Sequence, residues 1–93
     1  MSVYLKDTSA VLDYRLDWAA AYLDGDTIAT TAWAVTPAEA EGLVIQAESL
    51  SGGATTVTVS GGIAGRVYRL TNRITTTGGR TDERTLLIRI SDR

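Results

Sequence analysis

The stretch RVYRLTNRITT, residues 66–76, decides the fold class of this chain. Its alternate positions carry apolar side chains and one amide: Tyr68, Leu70, Asn72 and Ile74. A period of two is typical of a β-strand that buries one face. After a glycine turn at residues 77–80, alternate positions are again apolar: Leu86, Ile88 and Ile90. The two stretches predict a long closing β-hairpin with arginines on its outer face.

Further strands are predicted upstream of this hairpin. In residues 12–18 the alternating apolar positions are Leu12, Tyr14, Leu16 and Trp18. In residues 27–35, Ile28 and Trp33 lie five positions apart, so they share a face only if a bulge lies near residues 30–31. Two more strands follow: residues 43–50, with Leu43, Ile45 and Ala47 inward, and residues 54–60, with Val57 and Val59 inward.

Glycine-bearing turns separate these strands at the spacing typical of a sandwich or barrel. Tyr68 lies just after Gly65 at the start of a late strand, like the tyrosine corner of immunoglobulin-like domains, so we expect its hydroxyl to bond backbone upstream. Asn72 faces the interior, where we expect mainly backbone partners for its amide. Residues 36–39 predict a single helical turn with a capping box. The fold is therefore predicted to be all-β, with residues 1–93 forming one immunoglobulin-like antiparallel β-sandwich of about seven strands.

The composition is that of an ordinary globular domain. Of the 93 residues, 44% are apolar and 22% are charged, and chains of this length form one folding unit. There is no run of about 20 apolar residues, and the first residues lack the regions of a signal peptide, so we expect neither a membrane span nor a secretion signal. The formal net charge of −2 argues against a nucleic-acid partner.

Charge is divided unevenly along the chain. Residues 1–46 carry two basic and seven acidic side chains, 2 − 7 = −5, and residues 47–93 carry seven arginines and four acidic side chains, 7 − 4 = +3. On one side of the closing hairpin we expect Arg69, Arg73, Arg80, Arg84 and Arg89. Asp13 and Asp17 are expected on an acidic patch elsewhere. Complementary patches predict salt-sensitive head-to-tail contacts between copies, which form homo-oligomeric rings or filaments.

The residues available for chemistry are few. Histidine and cysteine are both missing, which removes the usual general base and the soft metal ligands. Asp13 and Asp17 share a strand face but lie about 13 Å apart, which suits neither glycosidase geometry. Asp24-Gly25-Asp26 begins like a calcium loop but lacks the other ligands, so we interpret it as a tight turn. We predict no enzyme activity, no catalytic residue, no metal, no cofactor and no small-molecule substrate.

Two groups of side chains are candidates for binding. An alternative function, a carbohydrate or cell-surface adhesion module, requires some of the larger aromatic residues to face solvent: Tyr4, Tyr14, Trp18, Tyr22, Trp33 and Tyr68. Strand alternation places both tryptophans in the core instead. Charges of both signs crowd the end of the closing hairpin: Arg80, Asp82, Glu83 and Arg84. These four are the candidate protein-interaction residues, because loop ends and arginines are common in interfaces.

Several motifs of the chain occur together in one known family. They are Lys6-Asp7, Leu12-Asp13-Tyr14-x-Leu16-Asp17-Trp18, Asp26-Thr27-Ile28, Trp33-x-Val35, Gly65-x-x-Tyr68-x-Leu70-x-Asn72-Arg73-Ile74-Thr75-Thr76 and Gly79-Arg80-Thr81-Asp82-Glu83-Arg84. With them the chain resembles the phage fiber-tail adaptors of tailed bacteriophages and prophages. The resemblance implies a non-enzymatic virion structural protein with an Ig-like fold, acting near the tail or the head-tail connector. It also implies contacts with other phage structural proteins, and synthesis in the cytoplasm of the bacterial host.

Overall fold

The computed structural model describes residues 3–19 and 25–91, which form seven β-strands. The strands are β1 (Val3–Asp7), β2 (Leu12–Asp17), β3 (Ile28–Thr36), β4 (Leu43–Ser51), β5 (Ala54–Gly61), β6 (Val67–Thr76) and β7 (Thr81–Ser91). Every strand predicted from alternation is present, which confirms the all-β class. The structure contains one strand that the sequence pattern does not predict, β1, because Val3, Tyr4 and Leu5 are consecutive apolar residues and show no alternation.

The strands form two sheets, ordered β1-β7-β6-β3 and β2-β5-β4. All pairings are antiparallel except that of β1 with β7, which is parallel. The second, fourth and fifth strands share one sheet, and the third, sixth and seventh share the other, as in immunoglobulin-like sandwiches. The predicted sandwich is therefore confirmed, with one parallel pair in place of a wholly antiparallel arrangement.

The core lies between the two sheets and is formed by the predicted inward faces. On β6 the buried alternate positions are Tyr68, Leu70, Asn72 and Ile74, each 0% exposed. Val57 and Val59 of β5 are equally buried. Trp18 is 0% exposed and Trp33 is 6% exposed, so both tryptophans are core residues as predicted.

Two register shifts interrupt the alternation. In β3 the shift lies between Ile28 and Thr30, next to the predicted position, and it allows Ile28 and Trp33 both to be buried. In β4 a second shift lies between Ile45 and Ala47. The predicted inward position of Ala47 is wrong: a bulge moves the side chains beyond Ile45 to the opposite face, and Ala47 is exposed.

The helical turn predicted at residues 36–39 is absent. The chain turns instead through a hydrogen bond from the Gly42 amide to the Glu39 carbonyl, 3.1 Å long. The Glu39 carboxylate accepts a 2.6 Å hydrogen bond from the Tyr68 hydroxyl and lies 3.8 Å from Nε of Arg66. This long-range contact with β6 occupies the side chain on which the predicted capping box depends.

Tyr68 forms the predicted tyrosine corner. Its hydroxyl accepts a 3.2 Å hydrogen bond from the Ile63 amide, five residues upstream, while it donates to Glu39. Because Ile63 follows β5 and Tyr68 lies in β6, the hydroxyl joins the loop between the two sheets to the buried face of β6.

Candidate protein-interaction site

The turn between β6 and β7 is closed by backbone and hydroxyl hydrogen bonds. The Thr76 amide donates to the Arg80 carbonyl at 2.7 Å, and the Gly79 amide donates to the Thr76 carbonyl at 3.0 Å. The Arg80 amide donates to Thr76 Oγ1 at 3.0 Å. Gly79 has a φ of 88°, in the left-handed region that favours glycine. The hairpin therefore ends in a hydrogen-bonded turn.

Asp26 binds this turn from the neighbouring loop. Its Oδ1 accepts hydrogen bonds from the Thr77 hydroxyl at 2.9 Å and the Gly78 amide at 3.1 Å, and its Oδ2 lies 3.3 Å from Arg80 Nη2. A Cβ at position 78 would lie 2.7 Å from Oδ2, so glycine is needed there for this approach. The tight turn predicted at residues 24–26 is supported at Gly25, which lies in a turn with a φ of 87°, whereas Asp24 lies outside the described residues.

Hydrogen bonds hold the pKa of the Asp26 carboxyl well below its ordinary value of 3.8. The largest cause is a hydrogen bond with the Thr76 side chain, followed by the bond from the Thr27 amide. A carboxyl whose pKa is lower in the folded state stabilises that state above its unfolded pKa. The contribution is lost as the pH falls through the folded pKa.

Asp26→Asn is therefore expected to lower the melting temperature at pH 7. At pH 2 the substitution is expected to change the melting temperature much less, because most of the stabilisation by the wild-type carboxylate is already lost there. Thermal unfolding followed by circular dichroism at the two pH values measures the difference. Asp82→Asn is the matched control, because Asp82 is an exposed carboxylate that accepts a bond from the adjacent Glu83 amide. An Asp26→Asn deficit that is equally large at pH 2 would contradict the assignment.

Arg84 does not lie on the outer face where it was expected. It is paired in register with the buried Asn72 and occupies the same alternate positions as Leu86. Its guanidinium carbon lies 4.3 Å from the centroid of the Trp18 ring, a cation–π contact. The expectation is wrong because the inward face of β7 continues past the apolar residues to the end of the hairpin.

The other three candidate residues are more exposed. Arg80 keeps 45% of its side-chain surface exposed while it forms the ion pair with Asp26. Asp82 and Glu83 are exposed, and Glu83 lies opposite Arg73 on the outer face of the hairpin. The four candidate residues are close in sequence, but the hairpin divides them between the two faces of the sheet: Arg80, Asp82, Glu83 and Arg84.

The remaining expected arginines do share the outer face of the β6–β7 hairpin. Arg69, Arg73 and Arg89 are exposed there, and none forms a salt bridge with a described residue. Asp13 and Asp17 lie on the outer face of β2, in the other sheet, with Arg15 between them. These three arginines and the two aspartates therefore lie on opposite sides of the sandwich, but Arg15 weakens the acidic side.

An internal polar network, which local sequence patterns do not reveal, lies beneath the hairpin. Asn72 Oδ1 accepts hydrogen bonds from Trp18 Nε1 at 2.9 Å and from the Thr55 hydroxyl at 2.7 Å. Asn72 Nδ2 donates to Thr31 Oγ1 at 2.8 Å and to the Ala32 carbonyl at 3.0 Å. The expected backbone partner is present, but the other three partners are side chains from elsewhere in the chain.

The aromatic residues offer little surface for stacking on a sugar. Tyr14, Trp18, Trp33 and Tyr68 are all buried, none more than 9% exposed. Tyr4 is 41% exposed, and its ring packs against Tyr14 with centroids 5.2 Å apart. Tyr22 lies outside the described residues. The burial of both tryptophans disfavours the adhesion alternative.

Within residues 3–19 and 25–91, no three His, Cys, Asp or Glu side chains converge as metal ligands would. The same residues contain no helix long and apolar enough to cross a membrane.

A family model described as the podophage GP4 fiber-tail adaptor protein gp77 matches residues 6–89, nearly the whole chain. The chain belongs to this fiber-tail adaptor family. It is accordingly a structural protein of a phage tail and a component of the virion. No curated protein matches the chain.

Motif residues of this fiber-tail adaptor hold the sandwich together. Lys6 is 2% exposed, and its Nζ donates to the Gly61 carbonyl at 2.7 Å, which joins β1 to the end of β5. Asp7 Oδ1 accepts a 3.0 Å bond from the Ser9 amide in the turn that follows. A hydrogen bond joins Trp18 and Asn72, which belong to two different motifs. These contacts explain why such motifs indicate the scaffold more clearly than they indicate a docking surface.

Proposed function

We propose that this protein joins tail fibres to the phage tail through protein–protein contacts and performs no chemistry. The family match over residues 6–89 carries the proposal. The absence of histidine and cysteine from the full sequence supports a non-enzymatic role. The chain is made in the cytoplasm of the bacterial host and then incorporated at the tail or the head-tail connector.

An adaptor binds two partners and therefore needs two separate contact regions. We propose the hairpin end as one of them, with Arg80, Asp82, Glu83 and Arg84 as its candidate residues. The part of the outer face of the four-stranded sheet that surrounds Leu87 is separate from it, because Asp82 and Leu87 are about five residues, or about 17 Å, apart along β7. The predicted head-to-tail ring of copies is the less favoured arrangement, because Arg15 lies between Asp13 and Asp17 and weakens the acidic side that the arginines of a second copy would meet.

Disruption of the gene tests the adaptor function. We expect particles with assembled heads and tails but without fibres, which electron microscopy resolves directly. Purified wild-type protein added to such particles is expected to restore fibre attachment. Particles that retain their fibres in the absence of this protein would contradict the proposal.

The hairpin end is tested with Asp82→Ser combined with Glu83→Ser. Reversal of Arg80 and Arg84 is a poorer test, because it also breaks the Asp26 ion pair and the Trp18 contact. We expect the serine variant to keep the wild-type melting temperature and to bind adaptor-deficient particles about tenfold more weakly, the effect of about 1.4 kcal/mol. Thr56→Ser, on the opposite sheet, is the control. Equal binding by the serine variant and the wild type would show that these carboxylates are not in the interface.

A further inference from the structure

The outer face of the four-stranded sheet combines exposed aliphatic side chains with arginines. Its members, here called the aliphatic–arginine face, are Val3 and Leu5 of β1, Leu87 and Arg89 of β7, and Val67 and Arg69 of β6. Val3, Leu5 and Val67 are 58%, 54% and 48% exposed. Apolar side chains so exposed on one face of a sheet mark an interaction surface when they are contiguous.

The strand register makes this face contiguous. One row across β1, β7 and β6 consists of Leu5, Arg89 and Val67. The next row consists of Val3, Leu87 and Arg69. Neighbouring strands lie about 4.8 Å apart, so each arginine lies beside an aliphatic side chain in its own row. The remaining large exposed apolar residues of the described chain are dispersed: Tyr4, Val11, Val44 and Leu50.

The charges on this face indicate the chemistry of its partner. Arg69 and Arg89 lie on the two central strands of the sheet and form no salt bridge with a described residue. The carboxylates on the same side of the sheet lie at its margins, Glu83 beside Arg73 and Asp7 at the end of β1. An arginine that forms no salt bridge with a described residue is available to bind a carboxylate of another protein in a bidentate manner.

We propose that the aliphatic–arginine face docks an acidic surface of another virion protein, one that presents Asp or Glu side chains around an apolar centre. This inference rests on the proposed adaptor function and assigns its second contact region. Aliphatic side chains between the arginines favour a protein over a phosphate backbone, whose binding depends on charge alone. A second copy is disfavoured, because its β2 face places Arg15 between Asp13 and Asp17.

A zero-length cross-link tests the chemistry of the partner directly. The sequence contains a single lysine, Lys6, which is 2% exposed with its Nζ bonded to carbonyl oxygens. Arg69→Lys and Arg89→Lys keep the charge and introduce a reactive amine, which a water-soluble carbodiimide couples to a touching carboxylate with loss of water. We expect mass spectrometry of treated particles to find either new lysine joined to an Asp or Glu of a different virion protein. Arg15→Lys, on the opposite sheet, and the wild type are the controls.

Charge reversal measures how much the two arginines contribute to binding. Arg69→Glu combined with Arg89→Glu is expected to bind adaptor-deficient particles at least about tenfold more weakly than the wild type, with an unchanged melting temperature. Leu5→Ser is expected to weaken binding without changing its salt dependence. If the reversed variant binds as tightly as the wild type and neither new lysine forms a cross-link, the inference is overturned, while the adaptor function is unaffected. Failure of the wild type to bind at all would overturn both.

Two further outcomes would also overturn the inference. One is a cross-link that joins the new lysine only to another copy of this chain, because the occupant is then a second copy. The other is binding of a fluorescent 30-base-pair duplex that is lost in the reversed variant, because the face then binds nucleic acid. We expect neither at physiological salt.

Discussion

Asn72→Leu is expected to lower the free energy of unfolding by about 3 kcal/mol or more. Asn72 is 0% exposed and accepts hydrogen bonds from Trp18 and Thr55, both also 0% exposed. Leucine fills a similar volume but leaves both donors without an acceptor, and a buried polar group without its partner costs about 1–3 kcal/mol. Because small domains are stable by only about 5–15 kcal/mol, much of the margin would be lost. Urea unfolding followed by tryptophan fluorescence measures the change.

A second substitution separates this effect from simple misfit of the leucine. Thr55→Val removes one of the two donors that Asn72→Leu leaves without an acceptor. The loss of unfolding free energy in the double variant is therefore expected to be smaller than the sum of the losses in the two single variants. Thr58→Val is the matched control, since Thr58 lies on the same strand but binds the exposed Asp13. Strict additivity of Asn72→Leu and Thr55→Val would show that the hydrogen bonds contribute little.

Trp33→Ala is expected to cost about 3–5 kcal/mol, as large aromatic residues removed from cores do, and to leave the domain largely unfolded at 37 °C. The ring is 6% exposed within the main apolar cluster. Its buried Nε1 has no hydrogen-bond partner among the described residues, unlike Nε1 of Trp18. Trp33→Phe is therefore expected to be markedly less harmful than Trp18→Phe, which removes a donor from Asn72. Thermal melts of the three variants provide the comparison, and a reversed order of the two phenylalanine variants would contradict it.

The sequence predicts the inward faces of β2, β5, β6 and β7 because their periods of two are unbroken. It misplaces Ala47, because a bulge inverts the alternation without any glycine or proline to indicate it. It misses β1, whose apolar residues are consecutive and whose parallel partner lies at the far end of the chain. Local periodicity carries no information about such distant partners.

The sequence predicts the candidate site less completely than the fold, because closeness in sequence does not show which side chains share a face. Arg80, Asp82, Glu83 and Arg84 are adjacent in sequence, but alternation on a strand sends neighbours to opposite faces. Arg84 consequently lies on Trp18. The ion pair of Arg80 with Asp26 joins residues 54 apart, so charge counts along the chain do not describe the charge that a partner meets.

The parallel pairing of β1 with β7 affects how the sandwich bears mechanical load. The start of β1 and the end of β7 lie at opposite ends of their shared ladder, which extends over five register pairs from Val3 with Leu87 to Asp7 with Ser91. A pull on these two points in opposite directions acts along the strands and shears the evenly spaced hydrogen bonds together, whereas an antiparallel terminal pair would open one bond at a time. If the protein joins a fibre to a tail as we propose, it transmits force whenever the fibre grips a moving cell. A load applied at these two points is then resisted by β1, the strand that lacks a recognisable sequence pattern.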